Sequence, residues 1–209
     1  MRTLIAVPCM DSVPAHFAQS LVMMDKVGEC SLAMQMGSLV YDSRNALARE
    51  AINRGADYVL WLDSDMVFAP DLLTRLFKTA EATGADILTG VYYRRQPPYT
   101  PVLYDRLDWD GEKIIAEKTE DAGTDVHEVA GCGFGCVLMR SDVLLGTLAA
   151  TGAWFSPYRG IGEDLAFCMR AREAGYKILC DPSITLGHVG NTIITKQFFD
   201  AYTAGKGKQ

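Results

Sequence analysis

The fold is decided by the stretch Tyr58-Val59-Leu60-Trp61-Leu62-Asp63-Ser64-Asp65. Its first five residues are apolar and include aromatic and β-branched types, and a run of this length predicts a strand that is buried on both faces. Such strands belong to parallel sheets covered by helices on both sides. Asp63-Ser64-Asp65 follows Leu62 directly, so two carboxyl groups are expected at the carboxyl end of this strand.

The flanking sequence alternates strand and helix in the same way. Short apolar runs predict strands, and amphipathic or alanine-rich runs bounded by capping residues, Pro or Gly predict helices. Strands are expected over residues 4–8, 31–36, 58–62 and 87–91, and helices over 13–26, from Asp42 or Ser43 to 53, and from Pro70 to Gly84. This order predicts an α/β fold with a mostly parallel sheet, in which ligands bind at the carboxyl ends of the strands.

The second half of the chain is less regular. A hairpin is expected over residues 102–118 with its turn at 108–111, further strands over 126–130, 136–139 and 176–180, and further helices over 141–149, 163–174 and 196–202. A loop over 154–162 and a polar tail over 204–209 complete the chain. We interpret residues 1–209 as a single domain, with a nucleotide-binding half over 1–91 and a partly antiparallel acceptor-side half over 92–209.

Charge and composition narrow the function. The 209 residues include 20 basic and 26 acidic ones, a net charge of −6, which argues against a broad nucleic-acid surface. An acidic protein that handles phosphates needs a metal ion or helix N-termini. The six cysteines form no C-x-x-C pair and are expected to be buried free thiols. The N-terminal apolar run has only four residues and no stretch approaches the ~18 of a membrane span, so a soluble, cytoplasmic protein is expected.

Four motifs carry candidate chemistry. Asp63 and Asp65 can hold a divalent cation against a diphosphate, whereas the similar pair Asp108 and Asp110 falls in an expected turn. Ser43-Arg44-Asn45 at a helix start is either a phosphate or base contact or a surface cap with a solvated arginine.

The other two motifs lie in the second half. Glu163 and Asp164 follow a glycine-rich loop at a helix start, where the helix field is expected to lower their pKa and keep one ionised as a base. His188, between Gly187 and Gly190, is either a metal ligand or a structural residue. The stretch 131–136 predicts a flexible or tightly packed glycine wall and lacks the context of a dinucleotide fingerprint.

The order of these motifs resembles that of glycosyltransferases with the GT-A fold, closest to the small nucleotide-sugar transferases of family 2. The resemblance covers residues 2–190 and rests on the Val7-Pro8 strand end, Ser43-Arg44-Asn45, residues 60–65, Gly162-Glu163-Asp164 and His188. It implies a GT-A fold, a nucleotide-sugar donor as substrate and a divalent cation, Mn²⁺ or Mg²⁺.

The resemblance also implies site residues. Asp65 and His188 would bind the metal, and Asp63 would contribute to the metal site or face the ribose or donor sugar. Asp164 would be the general base, with Glu163 holding the acceptor or the sugar. The nucleotide would be contacted by Pro8, Cys9, Arg44, Asn45 and Ser64.

The implied reaction moves a sugar from a UDP- or GDP-sugar to an acceptor hydroxyl with inversion, and the cation offsets the charge of the diphosphate leaving group. One alternative is a catalytically silent nucleotide-sugar-binding protein. Another is a sugar-phosphate nucleotidylyltransferase, which should carry a glycine-rich loop with an arginine where this chain has Cys9-Met10-Asp11-Ser12-Val13.

The acceptor is the least determined partner. A saccharide is favoured over a modified nucleic acid, and the oligomeric state is left open. Tyr92-Tyr93-Arg94-Arg95 could contact an anionic acceptor, although a solvated loop with packed tyrosines is the favoured interpretation. Four aromatic residues either stack on a sugar acceptor or pack in the core, and the sequence does not decide between the two: Trp109, Trp154, Phe155 and Tyr158.

Overall fold

The computed structural model describes residues 1–37 and 39–206, so residues 207–209 of the expected polar tail lie outside the described residues. The strands are β1 (Arg2–Cys9), β2 (Glu29–Met36), β3 (Tyr58–Leu62), β4 (Met66–Val67), β5 (Ile87–Val91), β6 (Leu103–Trp109), β7 (Ile114–Lys118), β8 (His127–Glu128), β9 (Gly131–Cys132), β10 (Cys136–Arg140), β11 (Ile178–Thr185), β12 (Gly187–Val189) and β13 (Ile193–Ile194). The helices are α1 (Ala15–Met23), α2 (Val40–Asn53), α3 (Leu72–Thr83), α4 (Ser141–Thr151), α5 (Glu163–Glu173) and α6 (Lys196–Lys206).

The central sheet has the strand order β2-β1-β3-β10-β5-β11-β8. Strands β2, β1 and β3 are mutually parallel, and β5 pairs in parallel with β11. The two exceptions are β10, which is antiparallel to both of its neighbours, and the short edge strand β8. The expected α/β fold with a mostly parallel sheet flanked by helices is therefore confirmed.

Alternating side chains of the central strands fill two cores, one on each face of the sheet. Leu4 and Trp61 belong to the core that also contains residues of α2, α4 and α5. Ile5 and Leu60, their neighbours along the same strands, belong to the core that contains residues of α1 and α3. Burial on both faces explains why these strands appear in the sequence as continuous apolar runs.

The strand β10 departs from the expected strand–helix alternation. After β5 the chain forms the hairpin of β6 and β7 and does not cross back by a helix, so it re-enters the sheet from the carboxyl end of β3. Cys136 accordingly pairs with Leu62, the last residue of β3, and the amide of Asp63 donates to the carbonyl of Gly135 at 3.3 Å. The result is an antiparallel strand between two parallel ones.

Several expected boundaries are wrong. Helix α2 begins at Val40, before Asp42 and Ser43, and α3 begins at Leu72, after Pro70. Helix α1 is shorter than 13–26, the strand expected over 126–130 is reduced to β8, and β11 continues to Thr185. Glu163 begins α5 as expected.

Two small antiparallel sheets complete the molecule. One has the order β7-β6-β9 and contains the expected hairpin. The other has the order β13-β12-β4, and it joins the segment that follows Asp65 to the segment that contains His188. Within the described residues, none of the helices has the length and apolar character needed to span a membrane.

Candidate functional site

A cavity of about 760 Å³ opens at the carboxyl ends of the central strands. Residues from distant parts of the chain meet there, among them the end of β1, the first turns of α2, the loops after β3 and β5, the end of β7, the start of α5, and β12. Among them are the predicted site residues Pro8, Cys9, Arg44, Asp63, Ser64, Asp65, Glu163, Asp164 and His188. The cavity therefore lies where an α/β sheet is expected to bind its ligand.

Arg44 is the buried cation of this cavity, with 3% of its side chain exposed. Its Nη2 donates to Oδ1 of Asp63 at 2.7 Å, and its Nε donates to Oε1 of Glu163 at 3.3 Å. Burial alone would lower its pKa, but the neighbouring carboxylates outweigh this effect and the net shift is upward. The interpretation of Arg44 as a solvated surface residue is therefore wrong.

The position of Arg44 follows from where α2 begins. Because the helix starts at Val40, Ser43-Arg44-Asn45 lies inside it and does not cap it. The Arg44 guanidinium lies 5.3 Å from the ring centre of Phe134 and 5.9 Å from that of Phe155.

Asn45 is not among the residues that line the cavity, and its Oδ1 accepts the backbone N–H of Phe155 at 3.2 Å.

Asp164 lies on the cavity wall at the first turn of α5. Burial, together with the charge of Glu163, raises the pKa of its carboxyl to about 6, and the hydrogen bond that its Oδ1 accepts from the N–H of Leu165 at 2.7 Å offsets only part of this shift. The expectation that the helix field lowers the pKa is wrong for Asp164, because burial dominates. A carboxyl group with a pKa near 6 is well suited to accept a proton at neutral pH.

Asp65, which directly precedes β4, and His188 of the paired strand β12 form a close pair. Nε2 of His188 lies 3.4 Å from Oδ2 of Asp65, and Nδ1 lies 2.8 Å from the carbonyl oxygen of Tyr93. Since a carbonyl only accepts, Nδ1 carries the proton and Nε2 is directed at the carboxylate. Burial would raise the pKa of Asp65, but the hydrogen bond and charge of His188 and the charge of Arg95 reverse this and lower it.

This pair fits a divalent cation by the chemistry of its donors. Nε2 of His188 and Oδ2 of Asp65 face each other at 3.4 Å, and an imidazole nitrogen and a carboxylate oxygen are both ligands of Mn²⁺ and similar divalent cations. The carbonyl of Tyr93 fixes the ring as outer-shell partners do at metal-binding histidines. Among the described residues no group of three or more His, Cys, Asp or Glu side chains could hold a metal ion alone. Asp63, the third predicted ligand, is instead bound to Arg44.

One wall of the same cavity is basic. Arg94, Arg95 and Lys118 line it, which agrees with the less favoured interpretation of Arg94 and Arg95, contact with an anionic ligand, whereas Lys118 was not singled out from the sequence. Nη1 of Arg95 lies 3.1 Å from Oδ2 of Asp65, and Nη2 of Arg94 donates to the hydroxyl of Tyr104 at 3.0 Å. Their position directly after β5, at the carboxyl end of a central strand, was the available signal.

The glycines of stretch 131–136 form a tightly packed wall. A side chain at Gly133 would collide with the hydroxyl of Tyr92, and one at Gly135 would lie 2.6 Å from the Tyr92 ring. Tyr92 in turn meets the His188 ring edge-on, with ring centres 5.4 Å apart. The glycines thus leave room for the aromatic ring that supports His188.

Comparisons with known proteins agree with this geometry. The sequence profile described as Glycosyl transferase family 2 matches residues 40–145, just over half of the chain. No curated protein matches the chain in sequence.

Solved structures share the fold at low sequence identity. A197 from STIV is 21% identical with a TM-score of 0.65, and the match covers 93% of this chain and 94% of that protein. GalNAc-T7 with UDP, GalNAc and Mn²⁺ is 10% identical with a TM-score of 0.61 over 90% of this chain and 44% of that one. S. aureus TarS 1-349 in complex with UDP-GlcNAc is 13% identical with a TM-score of 0.56 over 86% and 56%. The chain spans about half of the latter two, and the shared architecture is the GT-A fold.

Proposed function

The chain belongs to glycosyl transferase family 2, and from this premise we propose that it transfers a sugar from a UDP- or GDP-sugar to an acceptor hydroxyl with inversion. The proposal rests on one observation. The Asp164 carboxyl, with its raised pKa, and the Asp65–His188 pair line the same cavity. The bound UDP of GalNAc-T7 and UDP-GlcNAc of TarS support a UDP-sugar as the first donor to test.

Asp65 and His188 would hold a divalent cation, and the mixed oxygen and nitrogen donors favour Mn²⁺ slightly over Mg²⁺. When bound, the cation offsets the negative charge that develops on the departing diphosphate. Asp63, held at 2.7 Å by Arg44, would face the ribose or the donor sugar. Because Arg44 is buried between two carboxylates, its main contribution to nucleotide binding would be to fix these acids in place.

Asp164 would take the proton of the attacking hydroxyl, and Glu163, also bound to Arg44, would orient the acceptor or the sugar. Pro8, Cys9 and Ser64 would contact the nucleotide, and Asn45 would act indirectly through the loop at Phe155. The roles of residues 1–91 as donor half and 92–209 as acceptor half, and the cytoplasmic location, stay predictions. A saccharide is the proposed acceptor class.

The direct test is release of free nucleotide from a panel of UDP- and GDP-sugars, with and without Mn²⁺. We expect at least one donor to be turned over in a Mn²⁺-dependent manner. Asp65→Asn should abolish the Mn²⁺-dependent turnover, whereas Asp164→Asn should abolish turnover and leave donor binding intact.

The matched control is Asp110→Asn, which alters the second acid of the other Asp-x-Asp pair. Asp110 lies in the turn between β6 and β7, where its Oδ1 accepts the N–H groups of Glu112 and Lys113. Donor binding without nucleotide release from any sugar would favour the silent binding protein. Full activity of Asp164→Asn would eliminate Asp164 as the base.

A further inference from the structure

A second cavity, of about 650 Å³, lies between the end of β6, the end of α4 and the outer face of α5. It shares no lining residue with the first cavity. Its lining includes two aromatic residues, Trp109 and Tyr158, and four charged ones, Asp108, Arg170, Arg172 and Glu173. We refer to it as the outer groove.

Two aromatic side chains of the outer groove are accessible. Trp109 and Tyr158 are both 38% exposed, whereas Trp154 is 7% exposed and Phe155 is fully buried. The sequence left open whether these four aromatic residues pack in the core or are available to a ligand. Trp154 and Phe155 pack in the core, and Trp109 and Tyr158 face solvent. Exposed aromatic faces in a concave site bind flat apolar surfaces, such as the C–H faces of sugar rings.

A guanidinium group lies directly on this aromatic surface. The Cζ atom of Arg159 is 3.6 Å from the ring centre of Trp109 and 5.0 Å from that of Tyr158. Arg159 has a φ of 48°, a left-handed conformation that is unfavourable for a residue with a side chain, and the Tyr158–Ile161 bridge closes this turn. The closed turn therefore fixes the backbone position from which the Arg159 side chain reaches the two rings.

The charged residues that line the outer groove balance, Arg170 and Arg172 against Asp108 and Glu173, and Arg159 beside the groove adds one positive charge. Within the described chain, no carboxylate lies within 4 Å of Arg159 or Arg170, whereas Arg172 is paired with Asp108 at 3.8 Å. Arg170 donates to the carbonyls of Trp154 and Ser156 at 2.7 and 2.6 Å, and burial lowers its pKa. Arg170 is thus held by backbone carbonyls and shares the groove with Glu173, whereas Arg159 lies on the aromatic surface with no carboxylate within 4 Å in the described part of the chain.

We propose that the outer groove binds a saccharide carrying a carboxylate or phosphate group, with the sugar ring against Trp109 and Tyr158 and the anionic group at Arg159. Guanidinium groups bind both kinds of anion through paired hydrogen bonds. The proposal rests on the proposed function in one respect: it identifies this ligand as the distant part of the acceptor. Tyr158 precedes Asp164 by six residues, which can span at most about 20 Å, so one extended acceptor can reach both places.

Intrinsic fluorescence tests the proposal without any donor. The chain has three tryptophans, of which Trp61 and Trp154 are buried, so a ligand in the outer groove should change mainly the Trp109 signal. The probes are a tetrasaccharide containing glucuronic acid, mannose 6-phosphate, and neutral tetra-N-acetylchitotetraose. At least one anionic probe should change the emission saturably and bind about tenfold or more tightly than the neutral one. Equal binding of charged and neutral probes, or no saturable change with either anionic probe, would overturn the proposal.

Variants locate the binding. Trp109→Phe should remove the signal, and calorimetry on the same variant should still detect weaker binding. Arg159→Ala should weaken binding of the anionic probe about tenfold and leave the neutral probe unaffected. Arg54→Ala, which removes an exposed arginine of α2 that pairs with Glu50, is the matched control and should bind like the parent. An Arg159→Ala variant that is folded by circular dichroism and binds the anionic probe normally would refute the assignment.

Failure of the proposed function is distinguishable from failure of the outer groove. Asp65→Asn should lose donor turnover and keep the fluorescence response, because the two cavities share no lining residue. If turnover is present and the response is absent, only the outer groove is wrong.

Discussion

Nη1 of Arg95 lies 3.1 Å from Oδ2 of Asp65, the same oxygen that Nε2 of His188 faces at 3.4 Å. Asp65 is one of the predicted metal ligands. Arg95 therefore places a positive charge beside the carboxylate that would bind a divalent cation. The Arg95 side chain is 52% exposed and extends over Gly190, so it can leave this position without unpacking the core.

Removal of Arg95 should therefore strengthen metal binding. We expect Arg95→Ala to raise the affinity for Mn²⁺ in the absence of nucleotide about two- to fivefold, because exposed ion pairs contribute only a few tenths of a kcal/mol to about 1 kcal/mol. Calorimetric titration with Mn²⁺ measures the change. Arg106→Ala, which removes an exposed arginine paired with Asp108 and Glu117, serves as control. Unchanged or weaker Mn²⁺ binding by Arg95→Ala would show that the two cations do not compete.

The raised pKa of Asp164 predicts the acid limb of the activity profile. A base must be ionised to accept a proton, so turnover should fall as the pH drops through about 6, the pKa of this carboxyl. Nucleotide release at saturating donor, followed between about pH 5 and pH 8, measures this limb. A midpoint near the ordinary aspartate value of about 4 would show that Asp164 does not limit the reaction.

The elements predicted correctly from sequence are those with a strong local pattern. The apolar run 58–62 became β3, and the loop-to-helix boundary at Glu163 was placed correctly. The two-residue strands β4 and β13 carry no periodicity of their own and exist through pairing with β12. The local sequence also does not predict that β10 is antiparallel to its neighbours, because the direction of this strand depends on the path of the preceding hairpin.

The site shows the same division between local and long-range information. Asp63, Asp65 and Asp164 were singled out by their place after a strand or at a helix start, and all three line the cavity. The burial of Arg44 was missed because its partners are 19 and 119 residues away, and charged residues are seldom buried without such partners. The pKa of Asp164 was expected in the wrong direction because the helix field is a local feature, whereas burial is created by the whole cavity.

Asp164 should also reduce the stability of the folded protein at neutral pH. Its pKa of about 6 in the folded state lies above the unfolded value of about 4, so folding favours the protonated form. The penalty is absent below pH 4, grows between the two pKa values and is complete above pH 6. Asp164→Asn should therefore raise the free energy of unfolding by about 1–2 kcal/mol at pH 7 and by much less at pH 4.

Urea denaturation at the two pH values measures this difference. The control is Asp110→Asn, because backbone N–H groups of Lys113 and Glu112 lower the pKa of this exposed carboxyl. It should give no gain in stability at pH 7. A loss of stability in Asp164→Asn at pH 7 would mean that the carboxylate is favoured in the folded state, contrary to the raised pKa.

Arg44 should be required for folding stability as well as for the geometry of the site. Its removal leaves Asp63 and Glu163, whose side chains are 29% and 15% exposed, without their shared cation. Breaking a buried ion pair in this way costs about 3–5 kcal/mol, so Arg44→Ala should lower the free energy of unfolding by about 3 kcal/mol. Arg44→Lys keeps the charge and loses the paired geometry, and should recover part of the loss. Urea denaturation of both variants, with Arg54→Ala as the exposed control, gives the ranking; equal stability of Arg44→Ala and the parent would contradict the structural role assigned to this ion pair.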